Sequence, residues 1–155
     1  MDSDRLNRRL TLIANFGVLI GIALLVYEIR QNHEMMRAQT RSEIAANSVD
    51  RLDFIAGNRE LAEIIVRGNA GQELDAVDAV RLRFLRFGTF REWENTYYQH
   101  RQGLYDEQEY LAGKESWKSI VNRRNYQDYW CQFRLQVSSA FRKEVDDMFE
   151  NLQCE

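Results

Sequence analysis

The chain has 155 residues, no proline, two cysteines and two histidines, with 45% hydrophobic side chains and a formal charge of -3. That length suits one domain, and the missing proline removes the commonest helix breaker, which points to an all-α protein. So few Cys and His residues exclude a disulfide framework or a four-ligand zinc site, and the acidic balance provides no global basic field for nucleic acid.

Residues 1–9 form a short tail with Arg5, Arg8 and Arg9. From Leu10 to Tyr27 the chain reads LTLIANFGVLIGIALLVY, without a charge and with only Thr11 and Asn15 polar. At helical rise this block is about 27 Å long, close to the ~30 Å hydrocarbon thickness of a bilayer. A transmembrane helix is predicted over 10–27. The remainder is polar enough to bring the mean hydropathy of the whole chain to -0.55. A buried core helix would carry a polar stripe, and a cleaved signal peptide would have a shorter apolar run followed by small residues. Here the run ends in Tyr27-Glu28-Ile29-Arg30, which reads as an uncleaved anchor with an interfacial tyrosine.

Arginine counts on the two flanks tie, three in the tail against Arg30, Arg37 and Arg41 beyond the span. Arg8 and Arg9 abut the block, which tilts the reading toward a cytoplasmic N-terminus and an exported C-terminal part. Gly17 and Gly21 form a G-x-x-x-G that lets another helix backbone approach, and Asn15 can add an interhelical hydrogen bond. A second copy or a membrane-protein partner is therefore expected at Asn15, Gly17 and Gly21, with lipid around them.

No glycine interrupts the chain between Gly21 and Gly57, so the span is predicted to continue as a helical stalk over 28–57. Ala38, Ala45, Val49, Leu52 and Ile55/Ala56 form a one-sided apolar stripe. That stripe must bury against something. The chain's own later helices are the expected cover; an intermolecular coiled coil is the alternative, with a short, alanine-rich seam.

A helical domain is predicted over 58–155. Asn58 caps a short helix through LAEIIVRG, with Leu61, Ile64 and Ile65 inward and Gly68 at its end. Asp75, with Asp78 three residues on, opens a long helix to about Gln102, and Gly103 terminates it. Asp106 and Glu109 repeat the capping pattern before a helix through Trp117 and Ile120 that Gly113 threatens to split. Two shorter helices, Asn125 to Leu135 and Ser139 to Leu152, complete the chain. Fifteen of the eighteen aromatic residues fall between Phe84 and Phe149, giving the distal domain the material for a compact aromatic core.

The densest chemistry lies in RFLRFGTFREWENTYYQHRQG, Arg83 to Gly103. At 100° per residue, Val80, Phe84, Phe87, Phe90, Glu94, Tyr97 and Tyr98 share a broad face. Glu94 then sits among aromatic rings with Arg91 and Arg101 in reach. Either an ion pair fixes helix packing there, or Arg91, Glu94, Tyr98 and Arg101 hold a small polar ligand or lipid headgroup. His100 projects away from Glu94, and His33 lies far off on the stalk. No Glu-x-x-His pair, G-x-S-x-G elbow, phosphate loop or H-E-x-x-H is present, so neither a catalytic residue nor a metal or other cofactor is expected. Cys131 beside Trp130 reads as a small core residue. Cys154 reads as exposed, and in an exported domain it could pair with Cys131 or with another chain. Arg81, Arg83, Arg86 and Arg91 alternate with aromatic residues, but nearby Asp and Glu residues dilute their field, leaving no nucleic-acid partner expected.

ANFGVLIGIALLVYEIRQN, ELAEIIVRG, REWENTYYQHRQGLYDEQEY and SSAFRKEVDDMF together resemble a family of small single-span bacterial membrane proteins of unknown function. Trp93, Glu94, Tyr97, Tyr98, Gln99 and Gly103 carry the most distinctive part. The resemblance implies a bacterial inner-membrane setting and a helical fold, and it carries over no catalytic residue. The expected protein is a non-enzymatic, membrane-anchored interaction module.

Overall fold

The computed structural model describes residues 2–123 and 125–154. It is all-helical, with no strand among the described residues: α1 (Asp2–Ala56), α2 (Arg59–Asn69), α3 (Ala76–Arg101), α4 (Glu107–Val121), α5 (Tyr126–Phe133), a 3-10 turn (Arg134–Gln136) and α6 (Ser139–Asp146). The chain divides into two units, Met1–Gln39 and Thr40–Glu155, with the division inside α1.

The described residues of the first unit are helix alone, and every residue from Ser3 to Gln39 is exposed. Leu10, Ile13, Phe16, Leu19, Ile22 and Leu25 all stand open, as large apolar side chains rarely do in water. This helix is long and apolar enough to cross a membrane. Thr11 returns its hydroxyl to the Asn7 carbonyl at 2.9 Å, a satisfied state for a hydroxyl in an apolar helix.

The second unit is built on α3, which packs against α2, α4, α5 and α6. The helix starts follow the sequence reading. Asn58 accepts from the Leu61 N–H, Asp75 from Val77 and Asp78, and Asp106 from Gln108 and Glu109. Gly103 adopts φ +71° after α3, as its terminating role requires. The core joins Phe90, Trp93, Trp117, Trp130, Phe141, Val145 and Met148. Trp93 stacks on Trp117 with ring centres 5.1 Å apart, and Trp130 meets Phe90 at 4.9 Å.

Several boundaries differ from the sequence reading. Gly68 lies inside α2, buried, where an added Cβ would come within 2.2 Å of Leu82 Cδ2; its role is close helix approach, and the turn falls later, at Gly71 with φ +69°. Gly113 does not split α4, which runs unbroken to Val121. The final helix stops at Asp146, well before Leu152.

The expected burial of the stalk stripe does not occur. Ala38, Ala45, Val49, Leu52 and Ala56 are exposed, and only Ile55 is half-buried. In the second unit α1 turns Ile44, Ser48, Arg51 and Ile55 inward instead. Polar contacts set that rotation: Arg41 pairs with Glu109 at 2.6 Å, Arg51 with Glu92 at 2.6 Å, and Ser48 donates to Glu92 at 2.7 Å. All three point from the same side of the helix as Ile44, about a quarter of a turn from the stripe.

Candidate functional site

α3 is also rotated from its expected register. The buried line runs Leu82, Arg86, Thr89, Trp93 and Thr96, with Phe90 beside it. Val80, Phe84 and Tyr98 remain outside, with Phe84 61% and Tyr98 55% exposed. Two threonines can lie in this face because each returns its hydroxyl to the backbone one turn earlier, Thr89 to Leu85 and Thr96 to Glu92, both at 3.1 Å.

Arg86 is the unexpected member, only 2% exposed. Its guanidinium lies 4.3 Å from the Tyr126 ring centre and 4.2 Å from that of Tyr129, and its Nη2 donates to Asn69 Oδ1 at 2.7 Å. Burial pulls its pKa down, and the tyrosines act in the opposite direction. The arginine-aromatic run is thus dispersed. Arg81 pairs with Glu60 at 2.8 Å, Arg91 with Glu94, and Arg86 is internal.

The four proposed ligand residues do come together. Arg91, Glu94, Tyr98 and Arg101 line one open cavity of about 290 Å³ with Asn95, Tyr97 and Ser138. Within it Glu94 is already engaged. One oxygen takes Arg91 Nη1 at 2.5 Å, and the other accepts the backbone N–H of Ser138 at 2.7 Å. Ser138 is the residue that caps α6, so Glu94 pins the start of α6 to the C-terminal half of α3. Arg101 is exposed, its guanidinium carbon 5.6 Å from the Tyr97 ring centre. With the carboxylate engaged, the Tyr98 phenol, the Asn95 amide and the Arg101 guanidinium on the cavity wall can donate to an anion.

His100 bonds Glu107 at 2.6 Å and stacks on Tyr110 at 4.0 Å, forming no dyad with Glu94. Tyr110 donates to Glu144 at 2.9 Å, and Glu144 also takes Lys114 at 2.5 Å. Burial, reinforced by Glu144, pushes the Tyr110 phenol well above its usual range. No group of His, Cys, Asp and Glu able to hold a metal occurs among the described residues.

The cysteines depart from the reading of Cys131 as a core thiol. Cys131, half-buried on α5, is bonded to Cys154, with Cα atoms 5.3 Å apart. The bond fastens the tail after α6, which is also held by Asn122: its Nδ2 donates to the Met148 carbonyl at 2.9 Å, and its Oδ1 accepts the Glu150 N–H at 3.2 Å. Gln127 adds a bond to the Gln153 carbonyl at 2.8 Å. Sequence offered the pair as one option, and only the fold brings two residues 23 positions apart into range.

Asn15, Gly17 and Gly21 lie in the exposed first unit. Nothing lies within 4 Å of a Cβ built on either glycine, so both present open backbone. No family model matches the chain, and comparison with curated proteins and with solved structures gives no match either.

Proposed function

We propose that the protein is a single-span, membrane-anchored helical module of the bacterial inner membrane that binds another membrane protein or a second copy of itself, and does no catalysis. The observation carrying this reading is the uncharged block from Leu10 to Tyr27, wholly exposed within a unit that has no side chain to cover it. Lipid, or another helix at Gly17 and Gly21, supplies the missing contacts.

The Cys131–Cys154 bond supports an orientation. Disulfides persist outside the reducing cytoplasm, so the second unit faces the exported side and Arg8 and Arg9 remain inside. A reporter fused after Glu155 that is active only outside the cytoplasm tests it; activity is expected, whereas signal from a cytoplasm-only reporter contradicts the orientation. For the binding role, mild-detergent extraction is expected to give a mass above that of one chain; a bare monomer with no reproducible companion contradicts it.

The cavity beside Tyr98 and Arg101 favours a second reading, recognition of a small anionic group such as a lipid phosphate. Arg101→Ala is then expected to weaken binding of vesicles containing anionic lipid. Equal binding by both proteins removes that reading.

A further inference from the structure

The exposed apolar stripe of α1 has a regular period. Counting in steps of three and four, Met35, Ala38, Ser42, Ala45, Val49, Leu52 and Ala56 occupy alternating a and d positions of a heptad. All seven are exposed; Val49 is 54% and Leu52 58% exposed. The same count, carried toward the N-terminus through the sequence alone, lands on Gly21 at a and Gly17 at d. Spacing of 3.5 residues, rather than 3.6, is the repeat that keeps one seam against a supercoiling partner helix.

We propose that this seam is the contact surface for a second copy of the chain, pairing parallel and in register. The inference rests on the membrane-anchored reading above and names its partner. Two copies inserted in one bilayer with the same orientation are already parallel, and their equal spans hold equal residues at equal depth. Each a or d residue then meets its own counterpart.

Such a pairing repels itself wherever a charge occupies the seam. Between Met35 and Ala56 there are six charges, Arg37, Arg41, Glu43, Asp50, Arg51 and Asp53, and none falls at a or d. At the flanking g and e' positions a parallel pair opposes Glu34 with Gln39, Arg41 with Ala46 and Ser48 with Asp53, so no like charges meet. Arg41 and Ser48 keep their partners Glu109 and Glu92 within their own chain throughout. β-branched Val49 at a followed by Leu52 at d is the choice that favours two strands, and the alanines allow close backbone approach. Glu28 at a and Gln31 at d interrupt the seam just beyond Tyr27, where water can solvate them. Pairing therefore forms as two stretches, one through the glycines in lipid and one from Met35 to Ala56 in water.

The test is oxidative cross-linking, in native membranes, of full-chain variants that each carry one added cysteine, with the bonded Cys131 and Cys154 left in place. Ala45→Cys, Val49→Cys and Leu52→Cys probe the seam; Glu43→Cys, Asn47→Cys and Asp50→Cys probe the opposite side of the same helix. Dimer yield about tenfold higher at the seam positions than at the controls is expected. Leu52→Glu introduced beside Val49→Cys is expected to abolish that yield while leaving the unfolding curve of the monomer unchanged, because Leu52 is exposed within its own chain. Equal yields on both sides, or no dimer at the seam, with the protein retained in the membrane fraction, overturn self-pairing and leave the anchored reading standing. Recovery of the chain from the soluble fraction without detergent overturns both.

Discussion

The two units treat apolar side chains in opposite ways. From Leu10 to Tyr27 they are continuous and wholly exposed, whereas from Phe84 to Phe149 they are interspersed with charges and gathered around Trp93, Trp117 and Trp130. Apolar content alone therefore does not mark a core. A core needs apolar residues on several helices whose polar residues can face water or one another, as Arg86, Glu92 and Glu94 do here. The first unit has one helix and no second face to meet.

If the second unit is self-contained, damage to it will lower its stability without releasing the chain from membranes. Trp130→Ala strikes hardest, because Trp130 is fully buried against Phe90 and Phe141 and donates to Asp146 at 2.7 Å. A loss of about 3–5 kcal/mol is expected in denaturant titration, with membrane retention unchanged. Release of that variant into the soluble fraction would break the distinction between the units.

Replacing Cys131 and Cys154 together by Ser opens the loop between them, and a loss of about 3 kcal/mol is expected. A reductant should reproduce the shift in the wild type and leave the double variant unmoved. Gly68→Ala presses a methyl into Leu82, which is itself buried, and is expected to cost about 1–3 kcal/mol. Tyr110→Phe sharpens the picture through pH. The phenol stays protonated in the fold above the pH at which the unfolded chain ionises, so the wild type should lose stability as pH rises past about 10. The variant should lose Tyr110's share of that slope, keeping the smaller part due to Tyr105, which burial also raises, and it should lose about 1 kcal/mol at neutral pH for the missing bond to Glu144. The smallest effect is expected from Arg91→Ala. Arg91 is half-exposed, and its pair with Glu94 contributes under about 1 kcal/mol, because Glu94 keeps its bond to the Ser138 N–H.

The legible parts of the fold are those fixed by neighbours in sequence. Asn58, Asp75 and Asp106 cap because their side chains bond N–H groups two or three residues on, and Gly103 ends α3 through its own backbone. The rotations of α1 and α3 were not legible. Apolar periodicity favours Val80, Phe84 and Tyr98 as the inward face of α3. The actual face admits Arg86, because the rings of Tyr126 and Tyr129, some forty residues on, lie against its charge. Likewise α1 turns its polar Ser48 and Arg51 inward because Glu92 receives them. Arg91, Glu94, Tyr98 and Arg101 were readable as neighbours from helical spacing, but the capture of Glu94 by the start of α6 depends on a turn 44 residues away.

The central claim is that the block from Leu10 to Tyr27 has lipid as its solvent. Alkaline carbonate extraction of membranes from cells making the unfused, full-length chain tests it most directly. The protein should remain in the pellet and come away only with detergent. Recovery in the supernatant as a dispersed, detergent-free species would contradict the claim.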